Sequence, residues 1–276
     1  MQYFTGKTYD EERALYAVDG AEIRECTFAG PADGESALKE AKNIEMADCL
    51  FELRYPLWHV THATLKNCRM TESCRAALWY DKDVTVLDSE LGGIKALREC
   101  DDSVIKNCRI VSPEFGWMCR GVKIEDTELT AEYAFLQTRG MELDHFTLHG
   151  KYSFQYVENA VIRNSVLNTK DAFWHGKNIT VENSVVKGEY LGWYSENLTL
   201  INCHISGTQP LCYCKGLKLI NCTMENTDLS FEKSEVEATV QGHILSVKNP
   251  EKGFVHADSI GEVIVEYPTD CKITVG

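Results

Sequence analysis

Two phenol hydroxyls and an imidazole recur at one fixed interval in the second half of the chain. Tyr156, His175 and Tyr194 are each 19 residues apart, and Asp171 lies four residues before His175. If the chain brings these side chains together, His175 can accept a proton and return it, because an imidazole titrates near neutral pH. This chemistry would serve β-elimination from a uronate or cleavage of a glycosidic bond. The catalytic candidates are His175, Asp171, Tyr194 and Tyr156, with Trp174 and Trp193 as neighbouring substrate-binding candidates.

A second group with similar spacing combines acids, an imidazole and cations in the first half of the chain. His59, Tyr80 and Glu99 follow Glu40 at nearly the same interval. Arg98 precedes Glu99 directly, and a guanidinium can hold a substrate carboxylate through two hydrogen bonds. The substrate-binding candidates in this group are His59, Tyr80, Arg98 and Glu99, with Glu40 and Lys39 beside them.

No motif indicates a metal ion or an organic cofactor. His59 and His62 are too close together and too isolated for a zinc motif, and Gly6-Lys7-Thr8 lacks the upstream glycine of a phosphate-binding loop. The cysteines follow the repeat described next, and a stacked column points its thiols in one direction rather than toward a tetrahedral centre. We therefore predict no metal and no cofactor.

A six-residue pattern, apolar-x-Asn/Asp-Cys/Ser/Thr-x-apolar, recurs along nearly the whole chain. Clear copies occupy residues 105–110, 200–205 and 219–224. The Cys site of the pattern, which we call position 0 of each coil, advances unevenly from Cys26 to Ser89 and then by 19 residues in each of seven successive steps. Alternating Val, Ile and Leu at this period predict a parallel β-solenoid, because the coil is too short for a crossover helix or a propeller blade. Position 0 is occupied in turn by Cys26, Cys49, Cys68, Ser89, Cys108, Thr127, Phe146, Ser165, Ser184, Cys203 and Cys222.

Other positions of the coil have a consistent character. Positions 2, 14 and 16 are apolar, which predicts three inward-facing columns. Position 13 is Gly or Asn, as in Gly121 and Asn159, and these residues accept the positive φ of a tight turn. We expect the Asn or Asp before position 0 to bond the carbonyls of the next coil and to satisfy buried polar groups. The small Cys column is expected to fill an inward corner.

The repeat predicts one all-β domain over residues 1–276. Regular coils are expected over residues 10–235, and a closing coil with a cap over residues 236–276. This length corresponds to roughly 12 coils of about 19 residues.

Positions 6–11, which we interpret as a third strand, carry all five tryptophans at position 9 and the candidate residues at position 10. Placing positions 6, 8 and 10 inside would bury Lys95, Glu99 and Asp171, which desolvation forbids. Two arrangements remain open: positions 7, 9 and 11 inside, or a bulge that places 8 and 11 inside and 9 and 10 outside. We prefer the bulge, because it leaves apolar or small residues inside in most coils. Position 10 is exposed in both arrangements.

An exposed line of Tyr, Trp, His and Glu has three interpretations. The aromatic residues could serve stacking between coils alone. They also suit an oligosaccharide, which binds apolar ring faces and hydrogen-bonding groups, either in a binding protein or in a polysaccharide lyase or glycoside hydrolase. Tyr and Trp are equally favoured in protein interfaces, including those of homo-oligomers. We predict recognition of a glycan along this face, with a non-catalytic interaction scaffold as the alternative.

Charge and composition exclude other partners. The chain has 42 acidic and 28 basic residues, a net charge of -14, and no Lys/Arg cluster. Nucleic acid and anionic membranes are therefore not expected as partners. The sequence shows no signal-peptide pattern and no membrane-spanning stretch, from which we expect a cytoplasmic protein with free thiols.

The Asn-containing coils resemble the right-handed parallel β-helix of the pectin-lyase-like superfamily. Residues 3–266 also resemble an uncharacterised bacterial family of unknown function within it, on the evidence of residues 34–40, 54–59 and 171–175. The resemblance implies a single-stranded right-handed parallel β-helix and a bacterial origin. It implies no specific activity, because members of such a superfamily share a fold and differ in their sites. The Asp clusters of pectate lyases and the paired Asp residues of polygalacturonases have no counterpart in this chain.

Overall fold

The computed structural model describes residues 1–276 and consists of short parallel strands. It is a parallel β-solenoid of about 14 turns that repeat about every 19 residues, where the sequence predicts roughly 12. The fold class predicted from the repeat is thus confirmed. A single 3₁₀ turn, Glu72–Cys74, occupies the two-residue insertion before Trp79. The structure contains no helix of the length and apolarity that a membrane crossing requires.

The strands are numbered in chain order. They are β1 Gln2–Thr5, β2 Thr8–Tyr9, β3 Asp19–Arg24, β4 Thr27–Phe28, β5 Lys42–Ala47, β6 Leu50–Phe51, β7 Leu57–Trp58, β8 Thr61–Lys66, β9 Arg69–Met70, β10 Leu78–Trp79, β11 Lys82–Leu87, β12 Glu90–Gly92, β13 Leu97–Arg98, β14 Asp101–Lys106, β15 Arg109–Val111, β16 Arg120–Tyr133, β17 Arg139–Lys151, β18 Glu158–Arg163, β19 Val166–Asn168, β20 Lys177–Glu182, β21 Val185–Lys187, β22 Glu196–Ile201, β23 His204–Ser206, β24 Leu217–Glu225, β25 Glu235–Lys248, β26 Lys252–Ile264 and β27 Asp270–Val275.

Internal packing divides the chain into two compact units, residues 1–142 and residues 143–276. In the first unit, β11 pairs in parallel with β14, so that Val84 lies opposite Ser103. In the second unit, Ile162, Val181 and Leu200 lie opposite one another in β18, β20 and β22. In both units each strand therefore bonds to its equivalent in the next coil, and residues at the same position form a column.

The predicted inward columns are present. At positions 14 and 16, Ile179 and Val181 are at most 1% exposed, and Val186 at position 2 is 1% exposed. The position 0 thiols are also buried, and the Cys203 Sγ donates to the carbonyl of Val181 at 3.3 Å. All twelve cysteines are free and eleven of them are buried. The Cys column thus fills an inward corner, as predicted.

The Asn column takes a different role from the one predicted. Its members are exposed and bond one another across coils, rather than satisfying buried carbonyls. Asn202 Nδ2 donates to Asn183 Oδ1 at 3.1 Å, and Asn107 Nδ2 donates to Asp88 Oδ1 at 2.7 Å. Each of these residues has a φ of 50–53°, a conformation that Asn and Asp tolerate better than other residues with a Cβ. Asn and Asp therefore occupy this column because the backbone has a positive φ there, at a sharp turn.

Positions 6–11 adopt the bulged arrangement that we prefer from the sequence. Phe173 at position 8 and Gly176 at position 11 are buried, whereas Trp174 and His175 reach the surface. Ala172 at position 7 is also buried, at 1% exposure, as only the alternative arrangement anticipates, and Asp171 at position 6 is buried, which neither arrangement anticipates.

The interpretation of positions 6–11 as a strand is correct for part of the first unit and wrong for the second. In the first unit β7, β10 and β13 form a small parallel sheet. In the second unit Asp171, Phe173 and His175 have φ values of 51°, 62° and 53°, so positions 6, 8 and 10 form a continuous turn. Alternate left-handed residues bend the chain too sharply for a strand, and they explain why positions 7 and 8 both point inward.

Asp81 is a buried carboxyl in a column that the neighbouring coils fill with uncharged groups, Val60 and Cys100. The side chain at position 11 accepts a backbone N–H from the preceding coil: Thr138 Oγ1 accepts from Cys119 at 3.4 Å, and Asp81 Oδ1 accepts from Val60 at 2.8 Å. Asp81 is 2% exposed, and its second oxygen, Oδ2, has no partner. Burial raises the pKa of Asp81 well above its usual value. The carboxyl is therefore protonated over a pH range in which it would be ionised in the unfolded chain.

We expect Asp81→Thr to raise the free energy of unfolding at pH 7 by about 1–3 kcal/mol, because a hydroxyl keeps the bond to Val60 without a second buried oxygen. Since the folded-state pKa of Asp81 is raised, its cost to stability is absent below the unfolded pKa, about 4, and grows as the pH rises above it. The advantage of Asp81→Thr should therefore increase between about pH 4 and pH 7 in urea unfolding. The amide of Asp81→Asn does not ionise, so this variant should also lack the loss of stability that the wild type shows between these pH values. A gain of equal size at both pH values would contradict this account.

Candidate functional site

Four aromatic side chains at position 10 form a continuous stack in the second unit, which we call the tyrosine row: Tyr156, His175, Tyr194 and Tyr213. Successive ring centroids are 5.0, 5.1 and 4.9 Å apart, with interplanar angles of 8°, 9° and 13°. The structure thus brings together three of the four catalytic candidates. It also adds Tyr213, whose position in the same column the repeat already indicates.

The tyrosine row presents edges to solvent and not faces. Each inner ring is covered on both sides by its neighbours, since the stacking distance is close to van der Waals contact. Tyr156 is 48% and Tyr194 is 43% exposed, which leaves the phenol hydroxyls at the surface. The sequence-based expectation that a sugar would pack on open ring faces does not hold for the inner members of this row. What the row offers is a line of hydroxyl and imidazole groups at nearly constant spacing.

Trp174 and Trp193, the predicted substrate-binding neighbours, lie at position 9, directly before the row residues of their coils. Their rings stack at 5.5 Å and 3°, and both side chains are half-buried. Trp174 Nε1 donates to the carbonyl of Tyr190 and Trp193 Nε1 to that of Gln209, both at 2.8 Å. In each case the acceptor is the position 6 carbonyl of the next coil. These hydrogen bonds hold the indoles rigidly and use the donor that a ligand would need.

Asp171 lies four residues before His175 but does not bond to it. The Asp171 residue is 8% exposed, and burial raises the pKa of its carboxyl. No hydrogen bond or ion pair joins this carboxyl to the His175 imidazole. The turn at positions 6–10 directs position 6 into the protein and position 10 outward, so the predicted acid–base pair is not assembled.

The first unit carries the other predicted group at position 10, which we call the mixed row: Glu40, His59, Tyr80 and Glu99. The rings of His59 and Tyr80 stack at 5.0 Å and 9°. The carboxylates at the two ends lie beside phenols: the Tyr16 hydroxyl donates to Glu40 Oε2 at 2.8 Å, and Glu99 lies close enough to the Tyr80 hydroxyl to affect its pKa. The neighbouring carboxylate raises the pKa of Tyr16 and of Tyr80 above their usual value, because a phenolate beside a carboxylate is repelled.

Beside the mixed row runs a second column at position 9, the cation–indole column: Lys39, Trp58, Trp79, Arg98 and Trp117. Lys39 Nζ lies 4.2 Å from the centroid of the Trp58 ring, within the range of a cation–π interaction. The Trp58 and Trp79 rings stack at 5.4 Å and 8°, and the Arg98 guanidinium carbon lies 5.6 Å from the Trp117 centroid. Arg98 Nε also donates to Glu99 Oε1 at 2.9 Å. The predicted residues Arg98 and Glu99 are therefore brought together as an ion pair.

Sequence reasoning missed a set of unpaired donors in the cation–indole column. Trp58 Nε1, Trp79 Nε1 and Arg98 Nη1 are buried and have no acceptor. Trp117 Nε1, in contrast, donates to the position 6 carbonyl of the next coil, as Trp174 and Trp193 do in the second unit. A signal was present in the sequence: the lengthened step from Cys68 to Ser89 marks the coil that carries Trp79 as irregular.

Neither unit contains a group of three or more His, Cys, Asp or Glu side chains arranged to hold a metal ion.

Residues 2–274 match the model of the DUF3737 family, described as a protein of unknown function, and the chain belongs to that family. This confirms the family resemblance noted in the sequence. A search of curated proteins found no significant match.

Three solved structures resemble this chain distantly. The A-module of mannuronan C-5 epimerase AlgE6 from Azotobacter vinelandii has 9% identity and a TM-score of 0.42, covering 99% of this chain and 88% of that one. The catalytic domain of a GH87 α-1,3-glucanase has 11% identity and a TM-score of 0.36, with coverages of 99% and 63%. HetL, a pentapeptide repeat protein of the cyanobacterium Nostoc, has 12% identity and a TM-score of 0.32, with coverages of 80% and 91%. Similarity at this level assigns no activity to the chain.

The phenol–carboxylate pairs of the mixed row predict a selective change in tyrosine titration. Glu99→Gln should lower the pKa of Tyr80 toward its ordinary value, because an amide does not repel the phenolate. The same substitution should leave Tyr16 unchanged, whereas Glu40→Gln should lower the pKa of Tyr16 and leave Tyr80 unchanged. NMR titration of ring-labelled tyrosine measures both residues in one sample. A Tyr80 titration unaffected by Glu99→Gln would show that the Glu99 carboxylate does not raise the pKa of Tyr80.

Proposed function

We propose that this member of the DUF3737 family is a glycan-binding protein that recognises an extended oligosaccharide along the tyrosine row. The observation that carries the proposal is the spacing of the row: four exposed or half-exposed side chains whose ring centroids are 4.9–5.1 Å apart. Each ring places one polar group at the surface, so hydrogen-bonding groups recur at the coil repeat.

An extended polysaccharide has a matching periodicity. Its sugar rings follow one another at a distance similar to the spacing between adjacent coils, so successive sugar hydroxyls can meet successive side chains of the row. Phenol and imidazole groups both donate and accept hydrogen bonds, which suits sugar hydroxyls. Stacking fixes the rings before the ligand arrives, and a prearranged surface loses less conformational entropy on binding. These properties support a ligand that lies along the stacked coils of residues 143–276.

The proposal concerns recognition rather than bond cleavage. The usual glycosidase pair is two carboxyl groups on either side of the scissile bond, and the groups stacked on His175 are phenols instead. His175 has no carboxylate partner, and the Asp171 carboxyl is buried. We therefore expect a bound oligosaccharide to be recovered intact. New reducing ends or unsaturated products would show that the protein cleaves its ligand and would contradict a function in binding alone.

The alternative is a protein interface, in which a second copy or another protein covers the row. The exposure of Tyr156 and Tyr194 is compatible with either ligand. Light scattering separates the two cases. A stable dimer that becomes monomeric with Tyr156→Glu would favour the interface, and a monomer whose tryptophan fluorescence is quenched by oligosaccharides would favour the glycan.

A glycan library of neutral and acidic oligosaccharides should identify a ligand, and conservative substitutions should then locate its site. Tyr156→Phe and Tyr194→Phe each remove one hydroxyl and keep the stack. Each should weaken binding by about 3- to 10-fold, the equivalent of one hydrogen bond of about 0.5–1.5 kcal/mol, with little change in melting temperature. Tyr267→Phe is the matched control, because Tyr267 is 62% exposed in the same unit but lies outside the row.

His175→Ala tests the centre of the row. It should weaken binding more strongly than a hydroxyl deletion, because it also removes the ring that orients Tyr156 and Tyr194. If His175→Ala combined with Tyr194→Phe leaves the isotherm unchanged, the tyrosine row is not the binding site.

A further inference from the structure

The unpaired donors of the cation–indole column call for an acceptor that the chain does not supply. Native proteins rarely leave buried N–H groups without a partner, since each costs the free energy of its lost hydration. Trp58 Nε1, Trp79 Nε1 and Arg98 Nη1 are three such groups. They belong to residues that lie directly opposite one another in β7, β10 and β13. The three unpaired donors thus form one cluster.

Unpaired indole donors are not a general property of this fold, because the tryptophans at the same position of other coils are hydrogen-bonded. Trp117, Trp174 and Trp193 occupy position 9 in other coils, and each donates to a backbone carbonyl of the following coil. The unpaired indoles are confined to the two coils that flank the insertion containing Glu72–Cys74. For Trp58, the insertion falls in the position 6 segment of the next coil, which supplies the acceptor elsewhere.

The charges of the cluster identify the kind of acceptor. Lys39 contributes an ammonium group at one end, 4.2 Å from the Trp58 ring centroid and without an ion-pair partner, and Arg98 contributes a guanidinium at the other. The nearest carboxylates, Glu40 and Glu99, are already bonded to Tyr16 and to Arg98. A group of donors and cations with no free acceptor is complementary to an oxyanion.

We propose that Lys39, Trp58, Trp79 and Arg98 form a binding site for an oxyanion group, such as a carboxylate, a phosphate or a sulfate. The indole N–H groups and Arg98 Nη1 donate to its oxygens, and Lys39 supplies a second positive charge. The residues that carry these donors are half-exposed, although the donor atoms themselves are buried. This site uses different residues from the tyrosine row and does not depend on the proposed glycan function.

The test is titration of the intact protein with sodium phosphate, sodium sulfate and sodium acetate at constant ionic strength, with chloride as the reference. At least one oxyanion should produce a saturable change in tryptophan fluorescence and a concentration-dependent rise in melting temperature. Sodium glucuronate, compared with glucose, distinguishes the sources. Tighter binding of glucuronate than of the inorganic ions assigns the site to a carboxylated sugar, and the reverse order assigns it to a free anion.

Two variants and one matched control locate the site. Trp79→Phe removes one donor and keeps the aromatic stack, and Lys39→Met removes the charge from a half-exposed position. Each should weaken oxyanion binding by about tenfold or more, the effect of losing a hydrogen bond or a contact to a charged ligand. Trp174→Phe should leave the affinity unchanged, because its N–H is already bonded to Tyr190.

The proposal fails if no oxyanion differs from chloride. It also fails if Trp79→Phe and Lys39→Met bind as the wild type does, or if Trp174→Phe weakens binding as much as Trp79→Phe. Should Trp79→Phe fold poorly, Lys39→Met decides the question alone.

Discussion

The parallel backbone hydrogen bonds between coils are the constraint on which every other feature depends. They fix the residue at each position against its equivalent in the next coil, as Ile162 is fixed against Val181. A side chain therefore has neighbours of its own kind above and below it. Columns of identical chemistry, buried or exposed, are the direct consequence, and the tyrosine row is one of them.

The polar groups of a column form the same kind of hydrogen bond in successive coils. At position 11 a hydroxyl accepts the N–H of the coil before, and at position 9 an indole donates to a carbonyl of the coil after. Asp81 departs from its column, and the period changes before Trp79; in both places a buried polar atom is left without a partner. These two residues belong to the same coil of the first unit, and the coils on either side add Trp58 Nε1 and Arg98 Nη1.

The sequence is sufficient to predict the columns, the inward direction of positions 0, 2, 14 and 16, the exposure of position 10 and the residues that share the two rows. It leaves the direction of positions 7 and 9 open, and it does not predict the burial of Asp171 at position 6. It predicted the stacking of Tyr156, His175 and Tyr194, because equal spacing in a solenoid means adjacency. It did not predict that the rings would cover one another's faces, since that depends on the side-chain rotamers. It also could not separate Asp171 from His175, because the left-handed φ values at positions 6, 8 and 10 turn those two side chains apart. Residues with a Cβ seldom adopt that conformation at alternate positions, so the pattern of residues predicts a strand here instead of a turn.

The two units provide different starting points for function. In the tyrosine row the repeat is regular, the supporting indoles are satisfied, and only the exposed edges remain available for a ligand. Such a surface suits a ligand that repeats as the coils do. In the cation–indole column the repeat is interrupted, and donors below the surface are unpaired. The unpaired donors lie in three successive coils, and one of them, Arg98 Nη1, belongs to a coil of the regular 19-residue period. A localised charged group can bind where the next coil does not supply the partner that the same position has elsewhere. The missing partner, rather than the period alone, is therefore what distinguishes a discrete site from a uniform binding surface in this chain.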